Sequence, residues 1–185
     1  MNDKRKKLFA ASIMLLIGAG IAGCAKSSDD ASQKQVLKLS ASAPLDTIDI
    51  SKATGYGQTG NIFESFYRLG KDGKATPGLA KSGKVSKDGL TWTFKLRNAK
   101  WSNGDKITAD DFVYSWRRSI EPKTESPYAY FFSGVKNADE IASGKLSTDK
   151  LGIQALDKNT VQVELDKPIA YFKVLLAYPL FGPQN

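Results

Sequence analysis

Cys24 is the only thiol in the 185 residues, and the chain contains no histidine. Without imidazole there can be no Ser-His-Asp or Cys-His triad and no His-ligated zinc, and one cysteine alone allows neither a Cys-only zinc site nor an internal disulfide. A lone thiol can still accept a lipid. Ile21-Ala22-Gly23-Cys24 carries the small residues that let a lipoprotein signal peptidase reach the backbone. It closes an apolar run from Leu8 to Ala22, which itself follows the basic cluster Lys4 to Lys7. That run is short for a bilayer span of roughly 20 residues, so the pattern reads as an export signal over 1–23. The expectation is cleavage before Cys24, acylation of its sulfur, and a protein held by lipid on the extracytoplasmic face of the cell membrane. Two or three acyl chains hold firmly where one does not.

Two other patterns suggest chemistry. Asp110-Asp111 is a carboxylate pair of the kind a hydrolase uses, but it directly follows Thr108-Ala109 at the start of a helical pattern. Acidic side chains there are explained by the positive end of the helix dipole. Gly55-Tyr56-Gly57-Gln58-Thr59-Gly60 spells G-x-G-x-x-G. The dinucleotide reading fails because no continuous buried strand precedes it and no acidic residue ends a second strand about 20 positions later. It is read as a flexible loop. No catalytic residue, metal site or cofactor is expected, and the chain is not read as an enzyme.

The elements that must carry these residues have ordinary globular composition, with 41% hydrophobic and 25% charged residues. The net charge of +8 includes Lys4, Arg5, Lys6 and Lys7 of the leader, and the other lysines are spread along turns and strand faces. They are not interleaved with stacking aromatics, which argues against nucleic acid and for a solvated surface. Residues 24–35 hold almost nothing to bury and read as a tether. Val36-Leu37-Lys38-Leu39 is expected to begin the fold as a strand, and Ile62, Phe63, Phe66 and Tyr67 follow the glycine loop at helical spacing.

The central stretch runs from Lys87 to Arg118. Leu90, Trp92, Phe94 and Leu96 alternate with Thr91, Thr93, Lys95 and Arg97, which predicts a half-buried strand between the turns Lys87-Asp88-Gly89 and Ser102-Asn103-Gly104. Thr108 should cap a helix that buries Phe112, Val113, Trp116 and Ile120 and stops at Glu121-Pro122. Beyond it, Phe131 and Phe132 read as core and Asn137 to Ser143 as a short helix. Gly152 to Leu156 and Val161 to Leu165 form a hairpin about Asp157-Lys158-Asn159-Thr160, and Pro168 opens a helix that ends near Tyr178.

The order of Asp88 to Phe94, Lys100-Trp101-Ser102 and Asp111 to Trp116 resembles a segment of the solute-binding proteins that serve oligopeptide ABC importers, the peptide- and nickel-binding family 5. The likeness continues through Ser126-Pro127-Tyr128, Ala138 to Ile141, Leu151 to Ile153, Ala155 to Asp157 and Tyr171-Phe172, from about Val36 to the end. It implies an α/β fold of mixed sheets with helices, periplasmic-binding-protein-like type II, comprising the small lobe plus the first elements of the large lobe. The large lobe would begin over 36–69, the small lobe would occupy 70–180, and 181–185 would start the return to the first lobe. The resemblance points Thr54, Gly55, Tyr56, Gly57 and Tyr128 toward a ligand. It implies an oligopeptide as that ligand and importer permease subunits as partners. A signalling-peptide or nickel receptor of the same family is an alternative, and an exported adhesion protein or hydrolase is an alternative of another class. Because such proteins continue for several hundred residues, the chain is expected to be a truncated receptor.

Overall fold

The computed structural model describes residues 36–38, 40 and 44–185. The leader, Cys24, the tether at 24–35 and Leu39 lie outside the described residues. By its contacts the chain divides into Met1–Ser40 and Ala41–Asn185. In the first unit, Val36, Leu37 and Lys38 form no strand, and Val36 and Leu37 are 65% and 81% exposed. The strand expected at Val36 to Leu39 is therefore corrected. A lone β-like sequence gains nothing without a neighbouring strand to take its N–H and C=O groups, and Val36, Leu37 and Lys38 pair with no strand among the described residues.

The second unit is built on a four-stranded antiparallel sheet of β3 (Ala80–Val85), β4 (Thr91–Leu96), β5 (Ile153–Asp157) and β6 (Thr160–Glu164), in the order β3-β4-β6-β5. Phe94 stands opposite Gly83 on one side and Val161 on the other. Alternation along β4 sends Phe94 and Leu96 into the core, while Trp92 on the same face is only half buried. The turn at Asp88-Gly89 takes φ +77° at Gly89, which glycine adopts without a Cβ penalty. A separate hairpin joins β1 (Tyr67–Leu69) to β2 (Ala75–Pro77). The helical spacing of Ile62, Phe63, Phe66 and Tyr67 is thus misleading. The loop makes a 3-10 turn at Thr59–Asn61 and then enters β1.

Helix α1 (Ala109–Ile120) packs on the sheet with Phe112, Val113, Trp116 and Ile120 buried. At its start the Asp111 carboxylate accepts the Thr108 N–H at 2.7 Å, satisfying a group the helix leaves unpaired. It ends at Glu121, whose extended backbone (ψ 127°) leads into Pro122. Two short helices follow, α2 (Ala138–Ala142) and α3 (Phe172–Leu175). The helix read from Pro168 forms only as α3, because Tyr178 is extended and Pro179 opens a separate 3-10 turn.

An aromatic spine joins these layers. Phe66 lies 4.8 Å from Phe94 and 4.2 Å from Phe112, and Trp116 lies 5.3 Å from both Phe132 and Phe181. The Trp116 indole N–H donates to the Phe181 carbonyl at 3.0 Å, so the largest core side chain is also satisfied. Phe66 and Tyr67 belong to the same core as the later strands. The boundary expected near residue 69 is consequently not a break in packing.

Candidate functional site

Two stretches far apart in sequence meet at a cleft of about 810 Å³ whose wall includes Tyr56, Gly57, Tyr128, Phe131 and Tyr178. The first is the loop from Asp46 to Gly60. Asp46 Oδ2 accepts both the N–H and the hydroxyl of Thr54, at 2.7 and 2.6 Å, while its Oδ1 accepts the Thr47 N–H at 2.8 Å. The Thr54 hydroxyl, with the two amides, holds the Asp46 carboxyl below the usual carboxylate range. The Tyr56 hydroxyl donates to the Ile50 carbonyl at 2.9 Å. Burial, with Tyr128 beside it, pushes this phenol well above its ordinary range, so it stays neutral and donates.

The second stretch is the turn after Pro127. Tyr128 precedes a 3-10 turn, Ala129–Phe132, whose Phe131 N–H returns to the Tyr128 carbonyl at 3.0 Å. The Tyr128 hydroxyl donates to the Thr54 carbonyl at 2.6 Å, and its ring lies 5.3 Å from that of Tyr56. One hydrogen bond and one ring contact therefore tie the two stretches together. Phe131 stacks on Tyr128 at 5.4 Å and meets Tyr178 edge-on at 5.7 Å, extending the aromatic wall.

Of the residues singled out from sequence, Tyr56, Gly57 and Tyr128 line the cleft. Thr54 is exposed and contributes its carbonyl to Tyr128, and Gly55, next in sequence, is exposed as well. Neither Gly55 nor Gly57 adopts positive φ, and a Cβ at either would meet nothing within 4 Å. Internal sterics do not demand glycine there. The side of the backbone they bare faces open space.

Phe131 was expected in the core but is half buried and forms cleft wall, whereas Phe132 is fully buried as expected. The tight 3-10 turn rotates adjacent residues onto different faces, which no periodicity in the sequence announces. Glu64 and Arg68, an ion pair also on the cleft wall, were likewise not singled out. The G-x-G-x-x-G loop leads into a three-residue 3-10 turn rather than a helix, so it offers no helix N-terminus to a pyrophosphate. Asp111 is engaged as a cap. Among the described residues no group of three His, Cys, Asp or Glu side chains could hold a metal ion.

The family described as bacterial extracellular solute-binding proteins, family 5 middle, matches residues 74–185, more than half of the chain. The dipeptide-binding protein of Lactococcus lactis subsp. cremoris is 42% identical over 97% of this chain and 33% of its own length. Among solved structures, Listeria monocytogenes OppA bound to peptide is 43% identical with a TM-score of 0.77, over 83% of this chain and 31% of that one. The substrate-binding domain of an oligopeptide ABC transporter from Bacillus anthracis is 42% identical with a TM-score of 0.71, over 75% and 27%. The chain thus spans about a third of the length of the relatives it matches.

Proposed function

The chain belongs to the bacterial extracellular solute-binding proteins of family 5, and from that premise we propose that it forms part of an extracytoplasmic receptor that captures oligopeptides for an ABC importer. A lipid on Cys24 holds the receptor at the membrane. The relatives are named for dipeptide binding, peptide binding and ABC transport, and the cleft has the chemistry that binding an extended peptide needs. The observation that carries the reading is the junction of Tyr128 with the Thr54 carbonyl and the Tyr56 ring. It fixes an aromatic wall beside glycine backbone at which a Cβ would meet nothing within 4 Å. Peptide side chains pack on the rings, and peptide amides and carbonyls pair with exposed backbone as in strand addition. Ordering the wall before the ligand arrives lowers the entropic cost of binding.

Binding without chemistry predicts that ligand is released intact, which separates a receptor from a hydrolase. The test is mass spectrometry of peptides co-purifying with a chimera, in which this chain is followed by the part of the Lactococcus lactis relative beyond the match. Bound, uncleaved peptides are expected. A purified chimera carrying none, and taking up none when peptides are added, would refute the proposal.

A further inference from the structure

Some of the lysines that look scattered along the sequence converge in space. The register of the sheet brings the start of β3, the end of β4 and the β5-β6 turn to one end, where Ala80 pairs with Leu96 and Lys95 with Thr160. There Arg97 N–H bonds the Leu79 carbonyl, Leu96 N–H the Asn159 carbonyl and Ala109 N–H the Lys158 carbonyl. Lys81 sits at a register shift between Ala80 and Ser82. Lys81, Arg97, Lys100, Lys106 and Lys158 are all exposed, and none has an ion-pair partner among the described residues.

Lys100 and Lys106 face each other across an isolated antiparallel bridge. The flanking bonds run from Trp101 N–H to Asp105 O and from Ile107 N–H to Ala99 O. That pattern makes the two lysines a non-hydrogen-bonded pair, the kind that brings opposite side chains closest. Like charges placed so are unfavourable. Of the carboxylates nearby, Asp157 is paired with Lys95 and Thr160, whereas Asp105 and Asp111 are bonded to neutral groups, the Asn103 amide and the Thr108 N–H, and Asp110 is exposed beside them. The fold thus brings five cations without ion-pair partners among the described residues to one end, two of them against their mutual repulsion, where they outnumber the acids Asp105, Asp110 and Asp111.

We propose that this end of the sheet is a docking surface for the anionic phosphates of a phospholipid membrane. The inference rests on the proposed acylation of Cys24. The roughly twenty residues from there to Pro44 span at most about 70 Å, so the folded unit stays within reach of a lipid surface. Lysines brought within a Debye length of anionic headgroups are attracted additively, and the tether supplies the high local concentration. Docking would present a fixed side of the unit to the membrane rather than leave it free to tumble on its anchor.

The test uses the chain from residue 24 with Cys24→Ser, so that neither leader nor lipid contributes; the core of the described residues begins at Ile50 and is untouched. Co-sedimentation with vesicles containing about 30 mol% phosphatidylglycerol should exceed that with phosphatidylcholine alone, and should fall steeply from about 50 to about 300 mM salt. Replacing Lys81, Lys100, Lys106 and Lys158 with Gln should weaken binding about tenfold or more. Replacing Lys71, Lys84, Lys87 and Lys145, four lysines elsewhere that likewise have no ion-pair partner among the described residues, should change it less than about twofold. Equal losses from the two sets would reduce the effect to net charge and overturn the proposal. So would absence of binding to the anionic vesicles, or tighter binding to soluble poly(glycerol phosphate) than to vesicles at the same salt. Fatty-acid labelling of Cys24 in the unsubstituted chain reports separately on the anchor, so loss of one result does not imply loss of the other.

Discussion

Arg118 holds two stretches of chain that are far apart in sequence. Its guanidinium takes both oxygens of Asp49, at 2.7 and 2.5 Å, and also donates to the Gln184 side-chain carbonyl at 2.9 Å. The Arg118 bonds hold the Asp49 carboxyl below its ordinary range. A depressed carboxylate adds stability above its unfolded pKa near 4 and loses it as the pH falls through the folded value. Asp49→Asn should therefore cost about 1 to 3 kcal/mol at pH 7, since it leaves a partly buried guanidinium short of acceptors. The difference from the parent chain should shrink steadily in urea melts carried from pH 5 downward. A constant difference down to pH 2 would place its origin elsewhere. Cys24 yields a prediction of another kind: metabolic labelling with a fatty acid should mark the parent chain and leave Cys24→Ala unlabelled, and equal labelling would refute the lipid anchor.

Among the elements, β4 and α1 carry the fold, and their side chains are not equally committed. Trp116 is fully buried with its indole N–H bonded, whereas Trp92 is half buried and its indole N–H has no partner among the described residues. Trp116→Ala should cost about 3 to 5 kcal/mol, and Trp92→Ala, removing less buried surface, about 1 to 3 kcal/mol. Chemical denaturation measures both, and no loss at Trp92 would mean that the strand faces the other way. These two elements were legible because their signals are local. Alternation over Leu90 to Leu96, glycine at the turn and an acidic first turn after Thr108 each act within a few residues. The strand expected at Val36 and the long helix expected after Pro168 failed because local pattern does not supply a pairing partner or override the 3-10 turn at Pro179. The site was half legible. Family likeness led to Tyr56 and Tyr128, but Phe131 reaches the cleft through a turn that periodicity does not encode. The convergence of Lys81, Lys100 and Lys158 depends on strand register, which only the folded chain displays.

For the whole molecule, the decisive quantity is how much of a ligand one body of this size can cover. The cleft at Tyr56 and Tyr128 is lined by this one unit, and the chain spans about a third of the length of its relatives. A single wall leaves most of an extended peptide hydrated and repays little of its ordering cost. Residues 24–185 alone should therefore bind peptides only weakly, with Kd values well above the micromolar range, and micromolar binding by this fragment would show that one wall suffices. The chimera with the remainder of the Lactococcus lactis relative supplies the rest and allows the most direct test of the Tyr128 junction. Calorimetric titration of that chimera with a peptide found bound to it should give micromolar or tighter affinity. Tyr128→Ala should weaken this by about 1 to 2 kcal/mol, roughly 5- to 30-fold. Equal affinity for the chimera and its Tyr128→Ala variant would contradict the assignment of this cleft as the peptide site.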